Sequence, residues 1–229
     1  MSELNGAEYN AVLFDLDGTL VDTAPDMVAV LQNLQREHGV EEIGYELARS
    51  NVSNGAIGLL TVGFPELAIE FGDGMHQLYL EKYSELICEE SRVFDGLGEL
   101  LDELDAMGCP WGVVTNKPTQ LTLPLLVALG LADRAVCMVS GDTLSVRKPD
   151  PAPLLLACDI AGVDPQTSIY IGDAERDIEA GQRAGMATIA AGYGYITADD
   201  DPREWDADVI ATTAEELAQI VLKAVNLDL

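Results

Sequence analysis

A short apolar run, Ala11–Phe14, leads directly into two carboxylates two residues apart, Asp15 and Asp17. The run is bounded by turn residues and suits a fully buried strand. Strand side chains alternate faces, so extended backbone aims Asp15 and Asp17 the same way. Gly18 then permits a sharp exit, and Thr19 can satisfy free backbone groups in the turn. A lone Asp-Gly would be no more than a turn. Here two like charges crowd the end of an apolar strand, which is costly unless a cation or a shared proton relieves it.

Beyond this point the chain changes character twice. From about Val21 to Ser91 it reads as helical pieces with no strand pattern. Asp22 or Thr23 can cap a helix with Pro25 in its first turn, Met27, Leu31 and Leu34 on one face, and Gly39 at its end. Further helices are expected over Gly44–Arg49, Ala56–Val62, Pro65–Phe71 and Met75–Glu89, with breaks at Ser53-Asn54-Gly55 and Gly72-Asp73-Gly74. From Phe94 helices and strands alternate, the pattern of a parallel α/β sheet. Strands are expected at Trp111–Thr115, Ala135–Ser140, Ser168–Gly172, Ala187–Ala191 and Asp208–Ala211. Helices fall between them, closed by Gly108, Gly162 and Gly185, and a last one runs from Ala214 to about Val225. Pro124 argues for a helix that starts near Thr122 or is kinked. The expected architecture is an α/β core with a Rossmann-like parallel sheet, made of residues 1–20 and 92–229, and a helical domain of residues 21–91 inserted after the first strand.

With 40 acidic against 12 basic residues the net charge is −28, which makes nucleic acid and anionic membranes poor partners. A heavily solvated acidic surface explains most of this; only four lysines in the chain also suggest adaptation to a salty cytoplasm. No run reaches the roughly 18 apolar residues of a membrane span. Met1–Gly6 lacks a basic region followed by an apolar one, so a cytoplasmic protein is the expectation. Cys88, Cys109, Cys137 and Cys158 are widely spaced and read as reduced thiols, while His38 and His76 are too few for a histidine metal cluster.

Three further stretches lie where strands give way to helices, the place where open α/β sheets bind ligands. Val113-Val114-Thr115-Asn116-Lys117 offers a small hydroxyl and backbone amides suited to a phosphate oxygen, although Thr-Asn is also an ordinary cap. Arg147-Lys148-Pro149-Asp150-Pro151 places cations in a chain poor in them. Ile169-Tyr170-Ile171-Gly172-Asp173 is again an apolar strand ending in an acid, with Asp177 four residues on; Asp173 could equally cap the helix.

Taken together these stretches resemble the haloacid dehalogenase-like phosphohydrolases, whose motifs are hydrophobic-Asp-x-Asp-Gly-Thr, hydrophobic-Ser/Thr, Lys-Pro-x-Pro and Gly-Asp-x-x-x-Asp. All four occur in the family's order across nearly the whole chain. The resemblance implies that Asp15 is a nucleophile forming an aspartyl-phosphate, and that Asp17 is the acid and base. It implies a magnesium ion held by Asp15, Asp17 through its carbonyl, Asp173 and the second acid Asp177. Gly18, Thr115, Asn116, Lys117 and Lys148 would hold the phosphoryl group, Lys148 neutralising both phosphate and nucleophile. The insertion has the position and character of the family's first cap type, with Arg49, Ser53, Asn54 and Gly55 as candidate contacts to the leaving group and Lys117, Arg49 or Arg92 as candidate partners for a second anion. The partner would be a small phosphorylated metabolite, and the protein a monomer or dimer.

Within the family, Thr115-Asn116-Lys117-Pro118, Lys148-Pro149-Asp150-Pro151 and Gly192-Tyr193-Gly194-Tyr195 look most like the phosphoglycolate phosphatase group. Ser91–Gly96, Trp111-Gly112-Val113-Val114 and Trp205-Asp206-Ala207-Asp208 also resemble its branch acting on N-acetylmuramic acid 6-phosphate. A phosphosugar mutase shares Asp15, Asp17 and the cap, and a non-catalytic module on the same fold would be expected to lose the clustered acids.

Overall fold

The computed structural model describes Leu4 and residues 9–225; the remainder of Met1–Gly6 lies outside them. The chain opens with β1 (Ala11–Phe14) and β2 (Val21–Asp22), followed by α1 (Ala24–Glu37), α2 (Tyr45–Arg49), α3 (Gly55–Gly63) and α4 (Gly74–Glu85). It continues through β3 (Arg92–Val93), α5 (Leu97–Met107), β4 (Trp111–Val114), α6 (Thr119–Ala128), β5 (Met138–Val139) and α7 (Ala152–Ala161). It ends with β6 (Ser168–Gly172), α8 (Glu175–Ala184), β7 (Ala187–Ala191), β8 (Val209–Ala211) and α9 (Ala214–Val225).

Six strands form one sheet in the order β5-β4-β1-β6-β7-β8, every neighbouring pair parallel. β1, β4 and β6 are buried along their whole length, as strands covered on both faces must be. One face packs against α5, α6 and α9 through Leu101, Leu125 and Leu217. The other packs against α7 and α8 through Leu154, Ala157 and Ala180. The helices of residues 24–85 gather a separate apolar cluster around Leu31, Leu60, Tyr79 and Tyr83, which also takes in Leu121 and Tyr195 from beside the sheet.

Several local expectations need correction. Val21–Asp22 is a strand inside the stretch read as wholly helical: β2 pairs antiparallel with β3, Val21 opposite Val93 and Asp22 opposite Arg92, so a two-stranded ribbon links the helical segment to the sheet. Pro65–Phe71 is not a helix. The Asp73 carboxylate takes the Glu70 and His76 amides at 2.9 and 2.7 Å, tying the stretch to the start of α4 in place of a helical ladder. α4 stops at Glu85 rather than Glu89, because the Asp26 carboxylate takes the Glu90 and Ser91 amides, each at 2.9 Å, and binds the chain to α1. Only Met138–Val139 of the run expected from Ala135 to Ser140 pairs as a strand. α6 starts at Thr119 and passes through Pro124; Asp142 caps it from outside, accepting from the Thr119 amide at 2.8 Å and hydroxyl at 2.6 Å.

Candidate functional site

Because β1, β4 and β6 run parallel and adjacent, the residues after them emerge side by side at one edge of the sheet. The Asp15 amide donates to Ile171 O at 2.8 Å and the Thr115 amide to Val139 O at 2.9 Å, so both residues extend their strands' ladders. Asp173 follows β6 directly, and Asp177 lies in the first turn of α8. The backbone exit after Asp15 needs a glycine: Gly18 has φ +83°, and a Cβ there would stand 2.1 Å from Asp173 Oδ2.

Lys148 arrives from the loop after β5 and is almost wholly buried. Its ammonium lies 2.8 Å from Asp15 Oδ1 and 2.7 Å from Asp177 Oδ1, and donates to Val114 O at 2.9 Å and Tyr170 OH at 2.8 Å. Burial works against that charge, but Asp15 and Asp177 outweigh it and hold the lysine above its ordinary range. Asn116 fixes the segment that carries it: its carboxamide donates to Lys148 O and accepts from the Lys148 amide, both at 3.1 Å.

Asp15, Asp173 and Asp177 each offer one carboxylate oxygen, and these lie within 4.8 Å of one another. Asp173 Oδ2 accepts from Ser53 Oγ at 2.6 Å and the Tyr195 amide at 2.8 Å. Asp173 Oδ1 is buried with no hydrogen-bond partner. Burial, then the charges of Asp15 and Asp177, push the Asp173 carboxyl up to about 7. An orphaned buried oxygen beside two further carboxylates fits a hard divalent cation, which takes oxygen ligands and removes the repulsion.

Asp17 stands beside this group. Both of its described contacts fall on Oδ1: the Thr23 hydroxyl at 2.7 Å and the Lys117 ammonium at 2.8 Å. Lys117 also donates to Tyr83 OH on α4 at 3.0 Å and is buried between the two. Burial opposes its charge, but Asp17 and Tyr83 raise the lysine above its ordinary range.

Asp15, Asp17, Thr115 and Lys148 line a cavity of about 540 Å³ whose opposite wall is the helical segment, with Asn54, Gly55, Tyr79 and Tyr83 among its residues. The residues expected to meet the phosphate and the leaving group thus divide. Thr115, Asn116, Lys117, Lys148, Asn54 and Gly55 reach the cavity. Gly18, Asp173 and Asp177 do not line it, and Gly18 is pressed against Asp173. Arg49 does not line it: its guanidinium stacks 4.8 Å from the centroid of the Tyr195 ring and points at the carbonyls of Tyr193 and Gly194. Arg92 bonds Ser91 O and Glu89 O, away from the cavity.

Residues 12–191 match the family model of the haloacid dehalogenase-like hydrolases. The chain belongs to that family. Among its relatives, an N-acetylmuramic acid 6-phosphate phosphatase of Pseudomonas aeruginosa is 42% identical over 220 residues, 93% of this chain and 95% of the relative. A phosphoglycolate phosphatase of Xanthomonas campestris pv. campestris is 42% identical over 207 residues, 90% and 94% of the two chains. The crystal structure of a predicted phosphoglycolate phosphatase from Haemophilus somnus superposes with a TM-score of 0.80 at 26% identity, over 95% of this chain and all of that one.

Ser53, expected to meet the leaving group, does line the cavity, but its hydroxyl is donated to Asp173. Other residues of this haloacid dehalogenase-like site had no role assigned from the sequence. Arg176, inside the fourth motif, donates to Ser53 O at 2.5 Å, and Arg147 lines the cavity. Their signal was composition: in so acidic a chain, cations beside motifs stand out. Tyr83 carried no local signal, since an aromatic on a helix reads as core.

Proposed function

We propose that this family member is a phosphatase for a small phosphomonoester that carries a carboxylate on its leaving group. The carrying observation is that Asp15, paired with Lys148, both lines a cavity walled by the helical segment and lies within 4.8 Å, carboxylate to carboxylate, of Asp173 and Asp177. Asp15 attacks phosphorus, the bond to the leaving oxygen breaks, and Asp17 gives that oxygen a proton. Water then attacks the aspartyl-phosphate, gives its proton to Asp17, and frees phosphate and Asp15. With Oδ1 of Asp17 held by Thr23 and Lys117, Oδ2 is the oxygen that handles the proton. Thr115, the Asn116 amide and Lys148 position the phosphoryl oxygens. Magnesium, held by Asp15, Asp173, Asp177 and the Asp17 carbonyl, would neutralise phosphate charge. Residues 21–91 act as a cap that excludes water and reads the leaving group.

A cavity of about 540 Å³ with Tyr79, Leu80 and Tyr83 on its helical wall has room for either relative's substrate, the N-acetylated sugar acid as well as the two-carbon acid. Four free cysteines agree with a reducing cytoplasmic setting.

Asp15→Asn should lower turnover of p-nitrophenyl phosphate by at least about a thousandfold with an unchanged circular dichroism spectrum. Wild-type rates in that variant, or undiminished activity after exhaustive EDTA treatment, would overturn the mechanism.

A further inference from the structure

We propose that Arg147 is the specificity residue of this cavity, its guanidinium receiving the carboxylate of the leaving group. The inference deepens the phosphatase reading above and rests on it.

Lys117, Arg147, Lys148 and Arg176 bring positive charge to the cavity lining. Lys148 is committed to Asp15 and Asp177, and Lys117 to Asp17 and Tyr83. Arg176 donates to Ser53 O and is surrounded by Asp177, Asp15 and Asp173. His76 accepts the Gly72 amide on Nδ1 at 3.2 Å, a bond open only to the neutral ring, and burial acts in the same direction by lowering its affinity for a proton. Arg147 differs from all of these. Its Nε donates to Gly141 O at 2.8 Å, and neither Nη group has an acceptor among the described residues. Asp142, also in the cavity wall, is held below the ordinary carboxylate range first by the Thr119 hydroxyl and only last by the charge of Arg147, and no ion pair joins the two among the described residues.

The exposed guanidinium is nevertheless held in place. A Cβ on Gly141 would lie 2.0 Å from Asn116 O, so this loop is pressed against the residues that follow β4. Asn116 in turn grips the backbone of Lys148, the next residue. From the other side, Phe71 of the cap presents its ring 5.7 Å from the guanidinium carbon. A guanidinium anchored through Nε presents its remaining donors as a planar fork, the geometry that binds a carboxylate through both oxygens. In a protein of charge −28 the long-range field repels a polyanion, so a local cation has to supply recognition.

Matched substrates test this. Phosphoglycolate differs from 2-hydroxyethyl phosphate by the carboxylate, and N-acetylmuramic acid 6-phosphate differs from N-acetylglucosamine 6-phosphate by a carboxylate-bearing ether. With magnesium present, the wild type should favour the carboxylated member of at least one pair by about tenfold or more in kcat/KM. Arg147→Met should bring that ratio to within about threefold of one, and Arg147→Glu should invert it. An unchanged ratio in Arg147→Met, or equal losses on both members with the ratio preserved, overturns the assignment. So does a wild type that turns over the esters without preferring the carboxylate, which would leave the phosphatase reading standing. Turnover of none of the four would remove that reading and this one with it.

Discussion

Asp173 concentrates the electrostatic cost of the site in one carboxyl group. An acid of ordinary pKa 3.8 is raised to about 7 by burial and by Asp15 and Asp177, so the folded metal-free protein holds that proton more tightly than the unfolded chain. Its contribution therefore favours folding at low pH and is lost as pH rises from about 4 to about 7. A divalent cation competes with the same proton, so its stabilising effect grows over that interval. Magnesium should raise the melting temperature more at pH 8 than at pH 5, measured against EDTA controls, and Asp173→Asn should remove the difference. A magnesium shift of equal size at both pH values would contradict the role of Asp173. At this scale the sequence was informative where a residue sits at a strand end. Asp15, Thr115 and Asp173 each follow an apolar run, and that position alone aims them at the edge where ligands bind. The partners of Lys117 were not legible, because Tyr83 lies 34 residues away in the chain and meets it through packing.

The contact between α4 and the loop after β4 joins the helical segment to Asp17. Tyr83 accepts from Lys117, and Lys117 holds Asp17. Tyr83→Phe removes one partner of a buried ammonium, which should lower kcat roughly tenfold on alkyl phosphates. Lys117→Met should cost more. Both should affect p-nitrophenyl phosphate less, since that leaving group departs without a proton. Equal losses on both substrate types would show the contact to be structural. Elements were readable where they are long and regularly ended: α5, α7 and α8 each close on a left-handed glycine, Gly108, Gly162 and Gly185. The ribbon of β2 and β3 was not, because two-residue strands carry no periodicity. The end of α4 was hidden for a different reason: the Asp26 carboxylate that stops it acts across 64 residues.

Over the whole molecule, 40 acidic residues against 12 basic ones repel one another through the solvent. Salt shortens the reach of that repulsion from about 10 Å at 0.1 M to about 3 Å at 1 M. The melting temperature should therefore climb as KCl rises from dilute buffer to molar concentration, and activity should be retained there. Stability indifferent to salt would remove the saline-environment reading. Among the described residues no helix is long and apolar enough to cross a membrane. The ribbon has one more consequence. Since β2 and β3 lie side by side, the chain leaves for the cap and returns from it at neighbouring points, Asp22 opposite Arg92. Any helical excursion whose two ends meet that spacing can be grafted there without redrawing the sheet. An exchange there would leave the strand ends that carry Asp15, Thr115 and Asp173 untouched.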